Sequence, residues 1–137
     1  MSGERDHLQL QKMMAPQLQP EVFVYCTFPD SRLPKGLLPI CTFREAEGLT
    51  AIVERAQAER AQLPFIFEAR LITLTVHSSL EAIGFLATIS TALAHAGIPC
   101  NAVAAYHHDH LFIPVDRAQE ALALLEALSS DRTQATA

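Results

Sequence analysis

From Arg70 to Leu128 the hydrophobic pattern runs strand, helix, strand, strand, helix, and no further strand follows it. Ile72, Leu74 and Val76 alternate with Leu71, Thr73 and Thr75, the two-residue period of a half-buried strand over residues 70–76. Ser78 and Glu81 stand at capping-box spacing, and the helix they would open buries Leu80, Ile83, Leu86, Ala87, Ser90, Leu93 and Ala94. Gly97 ends it and Pro99 prevents its resumption. Residues 102–106 and 111–115 predict two strands joined through His107–His110. Asp116 then caps a last helix along which Ala118, Leu122, Leu125 and Leu128 recur, and residues 129–137 read as a polar tail. This order is one strand short of the split βαβ arrangement. The first strand of such a unit is central, flanked by the third and fourth, so residues 70–76 would expose a long β-branched edge that soluble proteins cover. Either a strand from residues 21–53 covers it, which interlocks the two halves of the chain, or a second subunit does.

The first half offers such strands. Pro20 opens a β-branched and aromatic run over residues 22–27, and residues 40–44 and 49–53 predict a hairpin across Glu45-Ala46-Glu47-Gly48. A short helix over residues 4–15 would bury Leu8, Leu10, Met13 and Met14. Pro29 to Pro39 reads as a loop, and residues 54–61 as a helix ended by Pro64. The expected fold class is α+β, an antiparallel sheet with helices mainly on one face, divided at residues 1–67 and 68–137.

Composition excludes several functions. Ten Lys and Arg against fifteen Asp and Glu give a net charge of −5, and without a basic run nucleic acid is not an expected partner, since its binding rests on neutralised phosphates. No charged residue lies between Glu81 and Asp109, a window long enough to raise the question of a membrane span, which takes about 20 apolar residues. Thr88, Ser90, Thr91, His95 and Asn101 interrupt it and Gly97-Ile98-Pro99 breaks it, so no membrane association is expected. Cys26, Cys41 and Cys100 form no CxxC pair and no signal peptide precedes Met13, which suits the cytoplasm.

The run Gly84 to Ile98, a glycine followed by apolar pairs and Leu93-Ala94-His95-Ala96-Gly97-Ile98, resembles the first helix of an ACT domain. Tyr106-His107-His108-Asp109-His110-Leu111-Phe112-Ile113-Pro114 resembles the hairpin of the ACT modules related to CASTOR-type arginine sensors. The resemblance covers residues 70–128. Residues 6–67, with Cys41 to Thr50, resemble the small bacterial domain of unknown function usually paired with that module. The resemblance implies a ferredoxin-like fold in two interlocked ACT-like halves and a non-catalytic sensor or regulatory module for an amino acid or similar small metabolite. Its ligand-binding positions carry over to Ser78, Ser79, Glu81, Gly84, Tyr106 and Asp109. Glu81-Ala82-Ile83-Gly84 departs from the usual Asp-x-Pro-Gly loop by lacking the proline and placing Glu for Asp.

The residues suit that chemistry. A helix opening at Ser78–Glu81 would offer N–H groups to a carboxylate, and Asp109 in the hairpin could hold an ammonium. The same residues also serve as ordinary cap and turn formers. His107 and Asp109 would project to one side of an extended chain, His108 and His110 to the other. A metal site would need ligands from elsewhere, and no metal or other cofactor is expected. Ser78 directly follows His77, but adjacent residues point apart and form no dyad, so no catalytic residue and no enzyme are expected. Thr88, Thr91 and His95 lie on an uncharged helix face. That face or an open sheet edge supports the alternative, a protein–protein interaction module without a ligand, with a homodimer as the candidate assembly.

Overall fold

The computed structural model describes residues 3–130; of the expected tail, Ser129 and Ser130 end a helix and residues 131–137 lie outside the described residues. In chain order the elements are α1 (His7–Met13), β1 (Pro16–Phe28), β2 (Cys41–Glu45), β3 (Gly48–Glu54), α2 (Arg55–Arg60), β4 (Ile66–Leu74), α3 (Phe85–His95), β5 (Asn101–Ala104), β6 (Asp109–Pro114) and α4 (Ala118–Ser130), the last entered through a 3-10 turn at Val115–Arg117. The strands form one six-stranded sheet in the order β2-β3-β1-β4-β6-β5, antiparallel at every pairing. The fold class is α+β and ferredoxin-like, as the sequence predicts.

The edge of β4 is covered from within the chain. β1 runs antiparallel beside it, Pro16 opposite Leu74 and Phe23 opposite Ala69. The sharing is reciprocal. In the second half β4 is the first strand of a split βαβ unit, β5 and β6 follow, and β1 takes the place of the missing fourth strand. In the first half β1 is the first strand, β2, β3 and α2 follow, and β4 is the fourth. The crossover from β1 to β2 has a loop where the second half has α3. Gln57 holds that loop, accepting from Leu38 N at 2.8 Å and donating to Leu38 O at 3.0 Å.

β1 is much longer than residues 22–27 because Pro20, which lacks an N–H, falls at a register shift between Leu18 and Val22 where no ladder bond is needed. Arg70 Nε donates to the Gln19 carbonyl there at 2.8 Å. A second shift lies between Phe23 and Tyr25, and opposite it Phe67 adopts a φ of +58°, the left-handed conformation that a β-bulge can require.

Alternation assigns the core. On the helix-bearing face, Ile72, Leu74, Leu111 and Ile113 pack with Leu10, Met14, Phe85, Ile89, Leu93 and Leu125, while Val24, Cys26, Ala51 and Val53 pack with Ala58 of α2. The face of α1 differs from expectation: Leu10 and Met14 are buried, but Leu8 and Met13 are exposed. The opposite face carries Phe23, Ile52, Ala69, Leu71 and Phe112, all buried although no helix among the described residues packs with them. Curling explains this. Cys41 on β2 and Val103 on β5 would stand about 24 Å apart in a flat sheet at about 4.8 Å per strand, yet both line one cavity. The aromatic rings meet on this concave side, Phe23 and Tyr25 edge-on to Phe112 at centroid distances of 5.8 and 6.0 Å. Among the described residues no helix is long and apolar enough to cross a membrane.

Candidate ligand site

Two loops meet at the end of β4: residues 75–84, leading to α3, and residues 105–108, joining β5 to β6. Ser78 and Asp109 are buried, and the Ser78 hydroxyl donates to Asp109 Oδ2 at 3.1 Å. Asp109 Oδ1 has no hydrogen-bond partner among the described residues. His77 precedes Ser78, its Nε2 buried and without a hydrogen-bond partner among the described residues, its ring 5.1 Å from that of His107. Buried polar groups are almost always paired, because leaving one dry and unbonded costs about 1–3 kcal/mol. The imidazole nitrogen of His77, beside the buried Ser78–Asp109 pair, is therefore an unsatisfied polar atom at the junction of the two loops.

The helix opening expected at Ser78 is not there. α3 begins at Phe85, with Gly84 as N-cap at a φ of +92°, and its carbonyl accepts both the N–H and the hydroxyl of Thr88 at 3.0 Å. Ser79 is buried and spends its Oγ on Glu81 N at 3.1 Å, a two-residue turn that competes with a capping box. The face of α3 also differs. Phe85, Ile89 and Leu93, four residues apart, are buried, whereas Ala87, Ser90 and Ala94 are exposed, and Leu80 and Ile83 stand outside the helix in solvent. Thr91 and His95 are exposed as expected, and Thr88 is half-buried.

A segment that the sequence pattern did not flag lies across the first loop. Glu4 N donates to His77 O at 2.9 Å and Ser79 N to Glu4 O at 2.8 Å, one bridge of parallel pairing. Gly3, at a φ of +95°, approaches so closely that a Cβ there would lie 2.6 Å from Ser79 N. Arg5 reaches Glu81 at 3.7 Å, both side chains largely exposed, and the His7 ring approaches Gly84. The backbone donor of Ser79 is thus occupied, so a carboxylate could not use it as a helix terminus would offer it. Of the six expected positions, Ser78, Ser79 and Asp109 are brought together in the interior. Glu81 and Gly84 lie against the amino-terminal segment, and Tyr106, 69% exposed, has its ring tilted against that of His107 at 4.8 Å. Only the glycine at position 3 could have hinted at the close approach.

Asp109 and His110 alternate across β6. Asp109 turns to Ser78, and His110 turns to the concave face, where its Nδ1 lies 3.0 Å from Thr73 Oγ1. Burial pushes the His110 imidazole below the ordinary 6.5, neighbouring His108 adds to this, and Asp109 opposes it. Among the described residues no group of three or more His, Cys, Asp or Glu is arranged to hold a metal ion.

A family model described as an ACT domain matches residues 2–70, and a second ACT domain model matches residues 66–127. A Vibrio cholerae protein of unknown function, described as a possible transport protein, is 42% identical with a TM-score of 0.80 over 90% of this chain and 95% of its own. An Agrobacterium tumefaciens protein is 13% identical with a TM-score of 0.70, covering 83% of this chain and 87% of its own. The regulatory subunit of aspartate kinase from Thermus flavus shares the fold at 11% identity and a TM-score of 0.62, over 82% of this chain and 95% of its own. No curated protein matches the sequence.

Proposed function

The chain belongs to the ACT domain family, and on that premise we propose that it is a non-catalytic regulatory module binding an amino acid or similar small metabolite in the cytoplasm. The observation that carries this reading is the buried Ser78–Asp109 pair beside the unpartnered Nε2 of His77. Asp109 supplies the negative charge that an ammonium needs, Ser78 and Ser79 the neutral polar wall, and His77 a hydrogen-bonding group that an incoming molecule could complete. Glu81, Gly84 and Tyr106 form the rim. The aspartate kinase subunit, by its description a regulatory one, supports the reading by analogy of fold. Ligand would act by favouring one arrangement of the loops and of the strap at Gly3–His7, which requires tighter binding to that arrangement.

Thermal unfolding across the twenty amino acids tests this. The effective one at 100 times its Kd adds about 2.7 kcal/mol of stability, and Asp109→Ala removes that gain. If none of the twenty shifts unfolding, the amino-acid reading fails. A second reading has its own support: Leu80, Ile83 and Tyr106 are exposed apolar side chains around the same loops, with Ile83 at 83%. They suit an interaction surface without a ligand, and self-association that Ile83→Asp abolishes, with no amino-acid response, would favour it.

A further inference from the structure

We propose that the concave face of the sheet holds a second binding site, the cavity between Cys41 and Val103, for an uncharged ring-bearing molecule that takes one hydrogen bond from or to His110. The cavity measures about 280 Å³ and is lined by Ile40, Cys41, Leu71, Val103, Ala105, His110 and Phe112. An apolar cavity of about 150 Å³ accepts a benzene ring, so this one accommodates a fused bicyclic ring.

Its walls are set before any ligand arrives. Phe112 is held edge-on by Phe23 and Tyr25, and Leu71 and Phe112 are buried. The one strongly polar side chain is His110. Its Nδ1 is engaged by Thr73 Oγ1 at 3.0 Å, and its Nε2 has no hydrogen-bond partner among the described residues. A mostly apolar wall with one oriented polar group is the usual make-up of a small-molecule site.

The lining also states what the site refuses. It contains no Asp, Glu, Lys or Arg. A free amino acid would bring both an ammonium and a carboxylate into a place with no counter-charge, and burying an unpaired ion is strongly unfavourable. The occupant is therefore neutral, unlike the metabolite proposed for the Asp109 corner. The two sites lie on opposite faces of β6, one at Asp109 and the other at His110. Cys41 comes from one edge strand and Val103 from the other, so a molecule seated here touches both halves of the chain.

Indole serves as the probe, titrated into the intact chain while backbone amide resonances are followed. The amides of Leu71, Val103, His110 and Phe112 shift together, and iodoacetamide labels Cys41 more slowly with indole than without, with Cys100 as the internal control. Ala105→Phe, which puts a large side chain in place of a small one in the lining, abolishes both effects. Should that variant fail to fold, His110→Phe keeps the test open, weakening indole about tenfold through the lost hydrogen bond. L-Tryptophan, the same ring carrying two charges, leaves the cavity amides in place. The proposal is overturned if indole leaves these amides unmoved. It is equally overturned if tryptophan moves them as indole does, if neither variant weakens the effect, or if they shift with protein concentration alone because a second copy covers the face.

Discussion

Two histidines of this chain sit in unlike surroundings, and each has a consequence of its own. His110 has its pKa lowered by partial burial and then by His108, with Asp109 opposing them. Its folded pKa lies below the unfolded value of 6.5, so near that pH the unfolded chain binds more protons. Its share of stability is intact above pH 6.5 and is lost as the pH falls through the folded value. Urea unfolding measured downward from pH 7 should show this decline, and His110→Gln should flatten it; a variant declining as steeply as wild type would contradict the assignment. His77 matters through a bond it lacks. Ser78 and Asp109 could be singled out in the sequence because they stand at motif positions, but His77 Nε2 becomes an orphan only once the loops close over it. Nothing in residue type distinguishes such a nitrogen from an exposed one.

At the scale of elements, the periodic segments were legible and their ends were not. The alternation of Ile72 and Leu74 placed β4, although the strand begins at Ile66 and stops at Leu74, ahead of Val76. The carboxyl-terminal end of α3 was readable because Gly97 and Pro99 leave few options. Its start was misread because Ser78-x-x-Glu81 has the spacing of a cap, whereas Ser79 uses its hydroxyl locally and Gly84 turns the chain just before Phe85. The cap, Gly84, lies six residues after Ser78, so Leu80 and Ile83, which anchor the expected stripe, fall outside the helix and its buried face is Phe85, Ile89 and Leu93. The β2–β3 hairpin was read correctly from Gly48, and it yields a sharp contrast. A Cβ at Gly48, where φ is +143°, would fall 2.5 Å from Phe28 O, while one at Gly36, φ +87°, would meet nothing within 4 Å. Gly48→Ala should destabilise by about 3 kcal/mol or more, adding a backbone clash to conformational strain, and Gly36→Ala by about 1 kcal/mol from strain alone. Equal losses in chemical denaturation would show that the close approach to β1 is unimportant.

For the molecule as a whole, the reciprocal use of β1 and β4 makes the halves interdependent. Residues 66–130 alone retain the helix-face cluster of Ile72, Leu111 and Leu125 but lose β1, Leu10 and Met14. Residues 3–65 lose β4 and with it Ala69, one of the two strand partners of Phe23. Neither fragment should give a cooperative unfolding transition, and mixing them should restore the circular dichroism of the intact chain. A fragment that unfolds cooperatively by itself would refute the interlock. The missing fourth strand made this arrangement foreseeable from the sequence. The curl was not, because no pattern of residues states that two edge strands five places apart will face each other. The same seam also governs time. Pro16 must find Leu74, and the ribosome has to finish β4 before β1 can acquire its second neighbour. Until then β1, with Phe23 and Val24, waits with one flank open among other proteins. Long-range pairing of this kind places folding toward the slow side, milliseconds to seconds, and makes the newly made first half the stretch of its life in which this chain is most exposed to wrong partners.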